Sequence, residues 1–229
     1  MKPGRIVAYA LLLSLLAGTA KAQFEGELEL VPPGCERLGQ CTLNSPLRFT
    51  DAAGVAWEAK AGLPTDGASI PGIFQAIIGS PFDPAFIKAA VVHDHYCDKH
   101  VRPWPQTHRV FYEGLIAAGV SRAKAKTMYF AVFLGGPKWI KLVPGNSCGS
   151  NCVNNFKSTS GVPGVYSRRA DYSAADVAPS VQSIGKLLEL NPDALSIDDL
   201  DHLARKLRPT DFFYSHGDAI DASVLGVTE

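Results

Sequence analysis

Between Asp83 and Pro137 the sequence carries three helical patterns separated by connections of only a few residues. Asp83-Pro84 opens the first, because an aspartate accepts from the free N–H groups of a helix start and proline suits the first turn. Phe86, Ala89, Ala90, His93 and Cys97 recur at three- and four-residue spacings, which predicts one face of a helix running to about Lys99. Pro103 and Pro105 close the connection and open a second helix, Trp104–Ala118, with His108, Phe111, Tyr112 and Leu115 on one face. Gly119 ends it. Ser121 caps a third helix, whose pattern Lys124–Leu134 runs through Met128, Tyr129, Val132 and Phe133 until Gly135-Gly136-Pro137 stops it. Connections this short make consecutive helices antiparallel neighbours.

Upstream, Phe24–Leu30 alternates as FEGELEL and predicts a short edge strand before a loop rich in Gly, Pro and Cys. Leu47-Arg48-Phe49 and Val55-Ala56-Trp57 flank Asp51-Ala52-Ala53-Gly54, a hairpin signal. Gly62, Pro64, Gly67 and Pro71 exclude a helix over 61–71, and Gly72–Ile78 predicts a short one. Downstream, Ser147–Tyr172 is polar and aperiodic, hence loop or linker. Val181–Leu190 and Ile197–Leu207 predict two amphipathic helices, the second capped by Ser196 with Asp199. Asp211 leads into Phe212-Phe213-Tyr214 and receives no catalytic role. There is no internal repeat.

The N-terminus predicts export. Lys2 and Arg5 precede the apolar run Ile6–Ala17, and Ala20-Lys21-Ala22 supplies a small-x-small cleavage pattern, so a secretory signal peptide cut before Gln23 is expected. The run is too short to span a bilayer, and no other long apolar run follows. The chain has 22 basic and 22 acidic residues; losing Met1–Ala22 removes three basic and no acidic ones, which leaves a net charge of −3. With no basic cluster, nucleic acid is not an expected partner. Of the five cysteines, Cys35 with Cys41 and Cys148 with Cys152 are expected as local disulfides of an oxidising compartment, leaving Cys97 free.

That free cysteine sits where the chemistry concentrates. Thr65–Pro71 reads TDGASIP, Ala89–Cys97 reads AAVVHDHYC and Gln106–Glu113 reads QTHRVFYE. Polar groups in apolar segments survive only with partners, and clusters of them mark sites. His93 and Cys97 are four apart and face one way, while the antiparallel second helix brings His108 back towards His93. His93 and Asp94 project about 100° apart and are not expected to act as one hydrogen-bonded pair. Asp66 belongs to a loop that can fold over the helix. His95, His100, His202 and His216 are read as ordinary core or surface groups. Neither a nucleophile elbow nor a phosphate-binding loop is present.

These motifs carry two resemblances. Leu47–Trp139, with a strand pair, TDGASIP, an AA-x-x-HD helix, a helix bearing FYE and then MYFAVFLGG, resembles a bacterial and phage domain family of unknown function. The same order is similar to secretory phospholipase A2, particularly its bacterial branch. That resemblance implies His93 as general base and Asp66 and Asp94 as calcium ligands. His108 falls where that family has a supporting aspartate, and Cys97 where it has a tyrosine. Ala89 and Ala90 replace two of its helix-tying cysteines. The exchange of oxygen donors for nitrogen and sulfur makes His93, Cys97 and His108, with Asp94 or Asp66, a set suited to zinc. A Cys97 nucleophile with a histidine base is a third arrangement.

The fold expected is mainly α: small N-terminal strands packed on a three-helix core resembling phospholipase A2, plus a helical C-terminal extension. The boundaries expected are a leader over 1–22, a core domain over 23–145, a linker over 146–173 and an extension over 174–229. The function expected is that of a periplasmic or secreted metal-dependent hydrolase, acting on a lipid ester at a membrane surface through His93 and His108. Asp66, Asp94 and Cys97 are its metal ligands, with Ca2+ or Zn2+ as cofactor. The alternative is a non-catalytic envelope module held by a structural zinc, with the extension open to a protein partner.

Overall fold

The computed structural model describes residues 21–68, 79–80, 82–141 and 165–216. The expected leader apart from its last two residues, Ser69–Pro71, the Gly72–Ile78 helix and the Cys148–Cys152 pair lie outside the described residues.

Eight strands and six α-helices are described. Strands β1 (Gln23–Glu25), β4 (Leu47–Thr50) and β5 (Ala56–Ala59) form one antiparallel sheet in the order β1-β4-β5. Strands β2 (Leu30–Val31), β3 (Cys41–Leu43) and β6 (Pro64–Thr65) form a second, in the order β2-β3-β6. Cys35 and Cys41 are joined by a disulfide around the 3-10 turn Cys35–Arg37. The third sheet pairs β7 (Lys138–Lys141) with β8 (Val165–Arg168). The expectation of a mainly α fold is therefore corrected: the architecture is mixed, with three small antiparallel sheets. Strands of two to four residues are too short to carry a period-two pattern, so composition alone does not reveal them. Phe24–Leu30, expected as one strand, splits into β1 and the start of β2 at Gly26, whose φ is +89°.

The hairpin of β4 and β5 forms as expected. Asp51 accepts from the backbone N–H groups of Ala53 and Val55 and from Trp57 Nε1 (2.9 Å). Glu113 then accepts from Ala52 N at 2.7 Å, tying the hairpin to the second helix.

Helices α1 (Ile87–Lys99), α2 (Trp104–Ala117) and α3 (Arg122–Gly135) follow the predicted order. Asp83 accepts from Ala85 N (2.9 Å) in the turn ahead of α1, and Ser121 Oγ from Lys124 N (3.4 Å) at the start of α3. Ile87, Val91, Val92 and Tyr96 of α1 pack on the first two sheets with Leu43, Phe49 and Trp57. Phe86, Ala89 and Ala90 pack on α2 and α3 instead. Helix α1 is thus buried on two sides, and its remaining stripe carries the polar residues. At Gly114 a Cβ would lie 3.0 Å from Ala89 Cβ and 3.3 Å from the Phe24 ring, so α1 and α2 approach closely there. With Ala89 opposite Gly114 and His93 opposite His108, the two helices run antiparallel.

Helices α4 (Val177–Leu190), α5 (Ile197–Leu207) and α6 (Phe212–His216) complete the described chain. Both α4 and α5 pack on α3. The Ser196/Asp199 capping box is present in both directions. Within the stretch expected as linker, Val165–Arg168 instead pairs with β7 and closes over the end of α1. Among the described residues no helix is long and apolar enough to cross a membrane.

Candidate functional site

The polar stripe of α1 faces a cleft of about 650 Å³ whose lining includes Asp66, His93, Asp94, Cys97, Asp98, Arg168, Arg169 and Tyr172. The loop after β6 supplies Asp66, where Gly67 takes φ +87° and donates its N–H to Thr65 Oγ1 (3.1 Å). A left-handed backbone here is the turn that the Asp66-Gly67 dipeptide predicts. All five residues expected in the site lie here: four line the cleft, and His108 stands behind His93.

At the centre is a chain of hydrogen bonds. Asp94 Oδ1 lies 3.0 Å from His93 Nδ1, and His93 Nε2 lies 2.9 Å from His108 Nδ1. His108 Nε2 donates to the Pro137 carbonyl at 3.0 Å. The meeting of His93 with His108 is as expected. The Asp94 contact corrects the expectation that neighbours projecting 100° apart would not pair: the side-chain torsions of both residues close the gap that their Cβ directions open.

The Pro137 carbonyl fixes the protons. It has none to give, so His108 carries its proton on Nε2. Burial, with the neighbouring charges of His93 and Lys138, pushes the His108 pKa well below the usual range, so His108 is neutral. Its Nδ1 is then a bare acceptor, and His93 must donate to it from Nε2. The lone pair of a neutral His93 therefore sits on Nδ1, on the side of Asp94, which lines the cleft.

His108 is wholly buried, with Trp104, Phe133 and Trp139 around it at ring separations of 5.6, 6.4 and 6.3 Å. A misplaced polar atom in such surroundings costs on the order of 1–3 kcal/mol, which locks the His108 orientation. Asp94 retains 30% side-chain exposure. Burial and the nearby Asp66 charge push its carboxyl up; the His93 contacts oppose them. Burial and Asp94 likewise push up the Asp98 carboxyl.

Cys97 is free, with Sγ 3.4 Å from His93 Nε2 and 3.8 Å from Nδ1. Burial and the charges of Asp94 and Asp98 push its thiol pKa well above the ordinary value. A nucleophilic cysteine needs the opposite shift, so these surroundings do not favour a Cys97 nucleophile. The donor atoms of His93, Cys97 and His108 all lie within 4.8 Å of one another.

Among the cleft residues that sequence reasoning missed are Asp98, Tyr172 and Pro137. Asp98 carried a usable signal, since it falls one turn after Asp94 on the same face. Tyr172 and Pro137 carried none, because both are brought here by the β7–β8 pairing. The Tyr172 ring fits against Gly135, where a Cβ would lie 2.8 Å from it, and burial beside Cys97 and Asp94 pushes its hydroxyl up. Arg168 on the facing wall is held by Asp211 at 2.6 Å.

Comparison with known proteins places the cleft residues within a recognised family. The family model described as Protein of unknown function (DUF1353) matches residues 41–132, which hold Asp66, His93, Asp94, Cys97, Asp98 and His108. Uncharacterized protein y4iH of Sinorhizobium fredii (strain NBRC 101917 / NGR234) is 39% identical over 169 residues, covering 73% of this chain and 71% of that protein. Uncharacterized protein y4jT of the same strain is 47% identical over 97 residues, 42% of this chain and 29% of that protein. No solved structure matches the chain. By these matches the chain belongs to the DUF1353 family of proteins of unknown function.

Proposed function

We propose that this protein is an exported, metal-dependent hydrolase of an ester, with lipid esters at a membrane surface as its substrate class. The observation that carries the reading is the chain from His93 through His108 to the Pro137 carbonyl. It leaves the basic lone pair of His93 on Nδ1, on the side of Asp94, which lines the cleft. A base so held can take a proton from a water in the cleft and return it to the departing alkoxide, a role worth about 10²–10⁴ in rate. His108 cannot stabilise an imidazolium as a carboxylate would, so its contribution is orientation.

Asp66, Asp94 and Asp98 are oxygen donors on one cleft, where burial raises the carboxyls of Asp94 and Asp98 and neighbouring like charges add to it. A hard dication such as calcium fits that set. When bound it would polarise the ester carbonyl and stabilise the developing oxyanion. Asp94 then serves the cation and leaves His93 Nδ1 to the water. The resemblance to phospholipase A2 supports the same assignments. The Cys35–Cys41 disulfide supports export, since such bonds persist in oxidising compartments.

The test is release of fatty acid from phospholipid vesicles by the purified protein, with calcium or with chelator. Calcium-dependent release is expected, falling about 10²–10⁴-fold in His93→Ala with the melting temperature little changed. No release with any metal, or release equal in His93→Ala, defeats the reading.

A further inference from the structure

We infer that His93, Cys97 and His108 also form a binding site for a soft divalent cation of the zinc class, and that this cation switches His93 out of its role as base. The second half rests on the assignment of His93 as base; the binding site does not.

Three observations converge. The donor atoms of the three side chains lie within 4.8 Å of one another, with Sγ 3.4 Å from His93 Nε2 and the two imidazole nitrogens 2.9 Å apart. Zinc–nitrogen and zinc–sulfur bonds of about 2.1 and 2.3 Å at tetrahedral angles require separations of about 3.3 Å between nitrogens and about 3.6 Å between nitrogen and sulfur. Movement of a few tenths of an ångström fits His93 Nε2 to both partners, and the Cys97 Sγ–His108 separation, within 4.8 Å, closes by at most about 1 Å. Second, each histidine already has the outer partner that fixes a metal-bound imidazole: Asp94 on His93 Nδ1 and the Pro137 carbonyl on His108 Nε2. Third, the set is two nitrogens and a sulfur, which selects zinc, cobalt or copper over calcium.

The two states of the site differ by the tautomer of His93. As base, His93 keeps its proton on Nε2 and offers Nδ1. As ligand, it offers Nε2 to the cation and keeps its proton on Nδ1, donating to the Asp94 carboxylate. The cation takes the place of the proton between the imidazoles. The Nε2 proton moves to Nδ1 and the Cys97 thiol proton leaves to solvent, so one divalent charge replaces one proton and the buried cluster gains one positive charge beside Asp94 and Asp98. No lone pair then remains on His93 for water. Three protein donors leave a fourth position for solvent.

Cobalt(II) titrated into metal-free protein provides the test. One equivalent is expected to bind with a thiolate-to-cobalt charge-transfer band and the visible absorption of a tetrahedral site. The band should vanish in Cys97→Ser, and affinity should fall more than about 100-fold in both Cys97→Ser and His108→Gln, beyond the 10–100-fold typical of outer-partner changes. In parallel, one equivalent of zinc should stop calcium-supported hydrolysis by the wild type, while Cys97→Ser keeps most of its own zinc-free rate. Absence of the band, or a band that persists in Cys97→Ser, overturns the site. A Cys97-dependent band with hydrolysis undiminished by zinc overturns the switch. The same band with no hydrolysis under any condition supports the site and refutes the hydrolase, leaving a cation that staples α1 to α2.

Discussion

Two buried polar clusters sit on adjoining faces of α2, and only one of them looks like a site. Around Asp201, which is 9% exposed, Arg109 Nη2 donates at 2.7 Å and the Tyr129 hydroxyl makes a short hydrogen bond. Nearby, Lys126 Nζ donates to the Pro192 and Leu195 carbonyls, each at 2.6 Å. These contacts join α2 and α3 to α5 and the turn before it, every one matching a donor to an acceptor. Around His93, by contrast, the bonded groups converge on a cleft whose wall also carries Asp66 and Asp98. Burial is common to both clusters. Closure distinguishes them: a cluster complete in itself fixes helices, and one open to solvent can take a substrate or an ion.

The comparison is broken most directly by exchanging the consequences. Asp201→Ala should cost about 3 kcal/mol in urea denaturation, because it strips the buried partner from Arg109 and Tyr129. His93→Ala should cost far less stability while removing turnover. If the two substitutions destabilise equally and leave hydrolysis equal, the distinction between staple and site fails.

Lys138 lies between the clusters and sharpens the comparison through pH. Its side chain is wholly buried, donates to the Leu134 and Gly136 carbonyls at 3.2 Å, and rests near the Trp104 and Tyr214 rings. Burial, reinforced by the Arg168 and Arg208 charges, lowers its pKa to about 7. Between pH 7 and the unfolded lysine value of about 10.4 the unfolded chain binds more protons than the folded one, so stability rises with pH. A gain of about 2 kcal/mol from pH 7 to about pH 8.5 is expected for the wild type, above which the raised Cys97 thiol begins to oppose it. Above pH 10 the buried Tyr129 and Tyr214, held protonated by the fold, reverse the trend. Lys138→Met should flatten the rise and match or exceed wild-type stability at pH 7; a rise of equal slope in the variant excludes Lys138 as its source.

The smallest stability effect is expected at Gly114. Ala89 Cβ has no torsion through which to yield, so Gly114→Ala should part α1 from α2 by a few tenths of an ångström. The contact costs about 1–2 kcal/mol, against which better helix propensity returns about 1 kcal/mol. Because the widening falls about one turn from the His93–His108 contact, hydrolysis should drop by more than the melt implies. A loss of activity no greater than the loss of folded protein removes helix spacing as its cause.

The α1–α2–α3 series was legible because Pro103, Gly119 and Gly136 act locally, through backbone torsions and missing donors. The apolar spacing then left the chain one way to bury its faces. The convergence of His93, Cys97 and His108 followed from the same rule, since antiparallel neighbours return the chain to the same height. Asp98 was readable by its spacing from Asp94 and was passed over. What sequence could not supply was anything dependent on distant pairing. The β2-β3-β6 sheet and the return of β8 to β7 are built from strands too short to announce themselves, and they turn a mainly α expectation into a mixed fold. Through β7 and β8, Tyr172 reaches Cys97 and the Pro137 carbonyl reaches His108.

By itself, then, the sequence determined which helices carry the candidate residues and that His93, Cys97 and His108 converge, because helical periodicity and its breakers are local. Only the tertiary structure decided where the protons sit. A single backbone carbonyl, Pro137, orients His108, sets the tautomer of His93, and turns a neighbouring pair, His93 and Asp94, into partners. Hydrogen-bond direction depends on which donor meets which acceptor in three dimensions, and spacing along the chain does not encode it.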